Sequence, residues 1–236
     1  GEKLLIRLER DMKRKGIRHG ARAPETIQSV AMDLVDYTRM DASVIESDIH
    51  RPTDSSLIYD CVRVVDRALA AFRDANVTRA YPKTRAKDAK KIALRIVNAK
   101  DAKERKAHYK NLLRSAKTLR DQMPRLVRKL ERSDYDTVQG LARQLRDLRK
   151  VSELLPVIIS QTERRIIKGE SVPSSEKIVS IFEEHTDVIV KGQRETEFGH
   201  KVFLTAGKSG LVLDCQLVQG NPCDTEFFID LIERQK

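Results

Sequence analysis

Tryptophan is absent from this chain of 236 residues, and aromatic residues make up only 5% of it. Base-stacking platforms for single strands interleave aromatic rings with cations, and inside the basic segment described below only Tyr109 and Tyr135 are aromatic, so none is indicated there. Cysteine is also scarce. Cys61, Cys215 and Cys223 form no C-x-x-C pair and are too scattered for a disulfide framework, so they are expected to be reduced and mostly packed. The five histidines (His19, His50, His108, His185, His200) contain no H-x-x-x-H pair, which argues against a helical zinc site. Ten glycines and seven prolines are too few for a collagen-like or low-complexity chain. No apolar run approaches the ~18 residues of a membrane span and no signal peptide opens the chain, so a soluble, cytoplasmic protein is expected. Both ends, Gly1 without a methionine and "IERQK" inside a helical pattern, read as cuts.

Two catalytic motifs are missing as well. "GKS" at 207–209 resembles the tail of a phosphate-binding loop, but the motif's first glycine falls where Val202 stands, and a strand rather than a helix follows. It reads as a hairpin turn. There is no G-x-S-x-G elbow for serine chemistry.

What the chain does have is positive charge, concentrated in one place. The net charge is +11. Between Pro82 and Lys150 stand 22 Lys and Arg against 8 Asp and Glu, a local +14, which leaves −3 for the remainder. Such an imbalance favours a polyanion through counterion release, and nucleic acid is the expected partner. The candidate phosphate contacts are Arg114, Lys117, Arg125, Arg128, Arg143 and Arg146.

The basic segment is helical by its apolar spacing. Leu112, Ala116, Leu119, Met123, Leu126 and Leu130 repeat in steps of four and three, and Val138, Leu141, Leu145, Leu148, Ser152, Leu155, Ile159, Thr162 and Ile166 do the same. A break at Ser133 and Asp134 would fold the two helices back as an antiparallel coiled-coil hairpin, with Pro124 and Pro156 expected to kink them.

The flanks read differently. In "RMDASVIESDIHRPTDSS", residues 39–56, Met40, Ala42 and Val44 alternate with Arg39, Asp41 and Ser43, the pattern of a half-buried strand with Asp41 on the wet side. The phase changes at Ile45 and Ile49, which predicts a bulge or strand end near Val44, with Asp54 or Ser55 capping the next helix. Beyond a Gly, Pro and Ser-rich break at 169–175, a hairpin is predicted over residues 201–218, followed by a helix capped by Asp224 or Thr225 and carried by Phe227, Phe228, Leu231 and Ile232. The fold class expected is α+β, predominantly helical. Residues 1–35 form an N-terminal helical segment, 36–53 and 170–236 a partial sheet domain, and 54–169 a helical insertion.

The runs "DASVIESDIHRPTDSSLIYDCVRVV", "RRIIKGESVPSSEKIVSIFEEHTDVIVKG", "FGHKVFLT" and "GLVLDCQLVQGNPCDTEFF" resemble the middle of DDE transposases from bacterial insertion sequences, of the ISNCY and related types. The resemblance implies an RNase H-like catalytic domain interrupted by the helical insertion. It places the first catalytic aspartate, a ligand of Mg²⁺ or Mn²⁺, at Asp41, and implies a homodimer acting on paired transposon ends in the bacterial nucleoid. The reaction implied is hydrolysis at a transposon end to free a 3′ hydroxyl, then attack of that hydroxyl on target DNA. The family's second aspartate, in a D-x-G-Y run, and its later glutamate do not occur before Lys236, and Asp41-Ala42-Ser43 departs from the family's usual D-T-T or D-S-T. Asp224 resembles the aspartate of the family's "GNxxD", with a structural role in cap and loop. Two other readings share these residues: a structure-selective nuclease, and a DNA-binding or dimerisation module without catalytic activity.

Overall fold

The computed structural model describes residues 38–77, 81–133, 139–190, 195–207 and 212–234. The expected N-terminal helix over 1–35, the aromatic Tyr135, Val138 of the second seam and most of the turn after Ala206 lie outside them. The chain is α+β and predominantly helical, and divides into a helical unit, Asp48–Thr186, and a sheet unit built on either side of it in sequence.

Among the described residues the helical unit is built on α1 (Asp54–Asp74), α2 (Ala86–Val97), α3 (Ala102–Glu131) and α4 (Ala142–Thr162). α1 starts one residue earlier than its expected cap: Thr53 is the N-cap, its hydroxyl accepting from the Ser56 amide while the Ser56 hydroxyl accepts from the Thr53 amide. Every residue of the first apolar seam is buried, as are Leu145, Leu148, Leu155, Ile159 and Thr162 of the second. The seams do not make an isolated two-stranded coiled coil, because α1 brings Leu57, Ile58, Cys61, Val65, Leu69 and Phe72 into the same core. A two-residue seam would bury two helices only; the added burial of Leu113, Val127, Val151 and Ile158 widens the stripe to face more than one neighbour. α3 and α4 run through Pro124 and Pro156, both of which sit on the exposed side.

After α4 the chain widens into a π-helical stretch, Glu163–Lys168, and stops at Gly169, whose φ of +74° is the left-handed conformation that glycine adopts without cost. Residues 170–186, expected with the sheet, belong instead to the helical unit. The Gln161 side chain explains the docking: its amide oxygen accepts from the Ile178 N–H at 2.9 Å, and its amide nitrogen donates to the Ile178 carbonyl at 3.2 Å. Ile181 then enters the helical core.

The sheet unit holds β1 (Thr38–Glu46), β2 (Asp187–Ile189), β3 (Glu197–Gly207) and β4 (Val212–Val218), all antiparallel to their neighbours. β3 is central. β1 pairs with it from Gly199 to Gly207 on one side, and β2 and β4 share the other. Of the bulge or strand end expected near Val44, β1 has the strand end, at Glu46, and no bulge, leaving Ile45 more than half exposed; the register shift falls between β3 and β4, at Thr205 and Ala206. Gly199 is demanded by packing: a Cβ there would lie 2.0 Å from the Ile45 carbonyl oxygen.

Helix α5 (Asp224–Glu233) covers one face of this sheet. Phe227 stacks on Phe203 with ring centroids 5.4 Å apart, beside Met40, Ala42 and Val218. Arg234 reaches back to hold Asp214 of β4 through two hydrogen bonds, 2.8 and 3.0 Å, which keeps the Asp214 carboxyl below the usual carboxylate range. This pairing accounts for a polar residue on the helix-covered face.

Candidate functional site

Strand alternation puts Asp41 on the opposite face from α5. Its cross-strand row is Asp41, Leu204, Cys215, and the neighbouring row is Ser43, Val202, Leu217. Asp41 is exposed and its carboxylate has no ion-pair or hydrogen-bond partner among the described residues, and Leu217 on the same face is 60% exposed. A carboxylate is the right donor type for Mg²⁺ or Mn²⁺, which take oxygen ligands. The donor number is another matter: among the described residues no group of three or more His, Cys, Asp or Glu is gathered to hold a metal ion. One carboxylate does not make a metal centre.

The six candidate phosphate contacts divide by what holds them. Lys117 is tied to Glu163 at 2.5 Å. Arg114, Arg125, Arg128, Arg143 and Arg146 are exposed and form no ion pair among the described residues. Arg114 donates to the Asn111 amide oxygen at 3.5 Å, and Arg128 donates to the Pro124 carbonyl at 3.1 Å. Arg114, Arg125 and Arg128 are separated by nearly whole numbers of helical turns, so they share one side of α3 over about 21 Å of its length. Arg143 and Arg146 are neighbours on α4 in the same sense.

Asp224 is the first residue of α5, and its carboxylate lies 2.5 Å from the Nζ of Lys201. That ammonium also donates to the Pro222 carbonyl and sits over the Phe203 ring. A buried lysine at mid-strand was not legible in the sequence, where "HKVF" reads as a lysine on the solvent side. The loop before α5 is fixed a second time, by the Asn221 side chain donating to the Val190 carbonyl and by the Gly220 amide donating to Asp187.

Buried charge in the helical unit is concentrated on α1. Asp54, 3% exposed, accepts from Arg165 at 2.8 Å and from Gln161 at 3.3 Å. Asp60 takes His50 Nε2 at 2.8 Å and Arg63 at 2.8 Å, and the hydrogen bond to Asp60 raises the His50 pKa. These carboxylates are saturated by cations, and they pin α1 to the segments that flank it. The cysteines divide differently from expectation: Cys61 is buried, which pushes its thiol up to about 12, while Cys215 and Cys223 are exposed and the Thr225 hydroxyl lowers the Cys223 pKa. Among the described residues no helix is long and apolar enough to cross a membrane. Comparison with protein-family models, with curated proteins and with solved structures finds no match to this chain.

Proposed function

We propose that this chain is part of a DNA transposase, in which Asp41 supplies one carboxylate of a Mg²⁺- or Mn²⁺-dependent DDE centre and the helical unit supplies the cations that grip double-stranded DNA. The observation that carries the reading is Asp41 itself. It stands at mid-strand, exposed and unpaired among the described residues, on the sheet face away from α5, while Asp54, Asp60 and Asp214 are each consumed by a cation. The element order supports an RNase H-like sheet: a first strand bearing the aspartate, a helical insertion, an antiparallel pair, then a helix. β2 is an addition to that order. The five exposed arginines without carboxylate partners supply the polyanion-binding half, and binding to paired DNA ends fits a homodimer.

A second reading, a DNA-binding or dimerisation module without catalysis, is favoured by the lack of a gathered acidic cluster among the described residues. Mn²⁺ separates the two. Paramagnetic broadening of NMR signals centred on β1, lost in Asp41→Ala, is the result expected of a metal ligand; broadening that ignores the substitution removes Asp41 from the centre. Fluorescence anisotropy with a labelled duplex tests the DNA half: affinity that falls linearly in log salt supports it, and no binding at low salt ends it.

A further inference from the structure

Within the helical unit, α1, α4 and the turn at 180–183 enclose a cleft of about 440 Å³. That volume lies in the range of small-ligand sites, about 300–1,000 Å³. One wall is apolar, with Val64, Val151 and Ile181, and the rim carries Arg67, Arg143 and Lys150 against a single carboxylate, Asp147. Lys150 is partnered by Glu184 at 2.7 Å, whereas Arg67 and Arg143 are exposed and have no partner among the described residues.

Phe182 closes the cleft, and its presentation is built. Ile181 is anchored in the core, and the buried Ser180 hydroxyl accepts from the amides of Phe182 and Glu183 at 3.1 and 3.2 Å, which fixes the turn. The Phe182 ring is nevertheless 49% exposed. Arg63 lies over it at 5.6 Å, and Phe182 but not Arg63 lines the cleft.

We propose that this cleft holds one unstacked nucleotide, its base against Phe182 and the aliphatic wall and its phosphate between Arg67 and Arg143. The inference deepens the DNA-binding reading above and rests on it for the source of the nucleotide, a DNA strand; a free nucleoside monophosphate has the same chemistry and is separated by the test. Aromatic stacking and cationic phosphate contact are the two terms by which proteins hold single nucleotides, and both are present at one place. The aromatic comes from outside the basic segment, which is why the scarcity of rings inside that segment gave no sign of it.

The test uses the whole chain and DNA carrying 2-aminopurine, whose fluorescence reports on stacking, either fully paired in a duplex or unpaired in a single-base bulge. The bulged DNA is expected to bind more tightly than the paired duplex, with a changed 2-aminopurine signal. Phe182→Ala and Phe182→Leu should each lower that preference by about 5- to 150-fold, the range of one base–aromatic stack, while leaving binding of the paired duplex unchanged. The Arg67→Gln, Arg143→Gln double variant should weaken the bulged complex and flatten its salt dependence. Equal affinity for bulged and paired DNA, or a preference that survives both Phe182 variants, overturns the cleft while the DNA-binding reading stands. If no DNA binds, that reading fails, and titration with deoxyadenosine monophosphate decides the cleft: binding abolished by the double arginine variant keeps it as a free-nucleotide site, and no binding ends it. Both Phe182 and the two arginines are at the surface, and circular dichroism confirms that each variant is folded.

Discussion

Lys201, although it lies on the central strand and is only 3% exposed, meets Asp224 at 2.5 Å and donates to the Pro222 carbonyl. The pair joins the centre of the sheet to the first turn of α5. Asp224→Ala leaves the ammonium with one neutral acceptor, and a loss of about 1.5–3 kcal/mol in the stability of the sheet unit is expected, since hydrogen bonds to charged groups fall in that range. Asp224→Asn, which keeps an acceptor, should lose less. Urea unfolding followed through a sheet-unit probe measures both, and DNA affinity should be unmoved in either, as a structural role requires.

Gly199→Ala is expected to be more damaging than any surface change in the sheet. The new methyl carbon meets the Ile45 carbonyl oxygen at 2.0 Å and the Glu46 Cα at 2.8 Å, both backbone atoms that no rotamer change can move aside. β1 must shift away from β3, and amide hydrogen exchange should accelerate along residues 38–46 while the core of α3 and α4 keeps its protection. Unchanged exchange in β1 would show that the strand pair tolerates the methyl group.

His50 and Asp60 make the stability of the helical unit depend on pH. The hydrogen bond to Asp60 raises the His50 pKa above the ordinary value of about 6.5. The folded state therefore binds the proton more tightly than the unfolded chain, so the stabilisation is fully present below about pH 6.5 and is lost as pH rises through the folded pKa. Urea midpoints measured across that window should fall with rising pH in the natural chain and fall less in His50→Gln. Parallel profiles would mean that His50 does not bind its proton more tightly when folded.

Thiol labelling should distinguish the three cysteines without denaturant. Cys223, exposed and with its pKa lowered by Thr225, should react first with iodoacetamide, and Cys215 should follow. Cys61, buried with its thiol near 12, should stay unlabelled until the helical unit unfolds. Peptide mass spectrometry over a labelling time course reads the order directly.

Charge reversal should separate the exposed arginines from Lys117. Arg125→Glu and Arg146→Glu each remove a cation without an ion-pair partner, so each should weaken binding of any duplex sequence and lower the salt slope by about 0.9 for every phosphate that is no longer neutralised. Lys117→Glu opposes Glu163 and should cost helical-unit stability as well. Anisotropy at several salt concentrations, with a melting curve for each variant, resolves the two effects.

The helices and the alternation of β1 were legible because both are local periodicities: a seam residue such as Leu119 or Met123 states its burial through its neighbours three and four places away. What was illegible depends on distant partners. Nothing near Gln161 in sequence says that its amide will capture the backbone of Ile178 and draw residues 170–186 onto the helices. Lys201 reads as a solvent-facing lysine until Asp224 arrives from another element. In β4 the apolar Leu217 is exposed and Asp214 faces α5, a reversal that follows from Arg234 and not from hydropathy. Asp41 is the intermediate case, since its place on the wet face was readable and the ligands that a metal would need beside it are not gathered among the described residues.

Gly199 has Glu46 as its partner on one side and Asp187 on the other. With strands about 4.8 Å apart, the chain leaves the sheet for the helical unit and returns to it about 10 Å away. The helical unit is thus a cassette, spliced into the sheet at a single doorway. A linker of a few residues joining Ser47 to Asp187 spans that doorway, and for the pairing of β1 with β3 it shortens a loop of about 150 residues whose closure entropy is worth about 4 kcal/mol. The same doorway would admit a different insert of any length whose ends emerge side by side, so the sheet and its cargo of helices are free to change independently of one another.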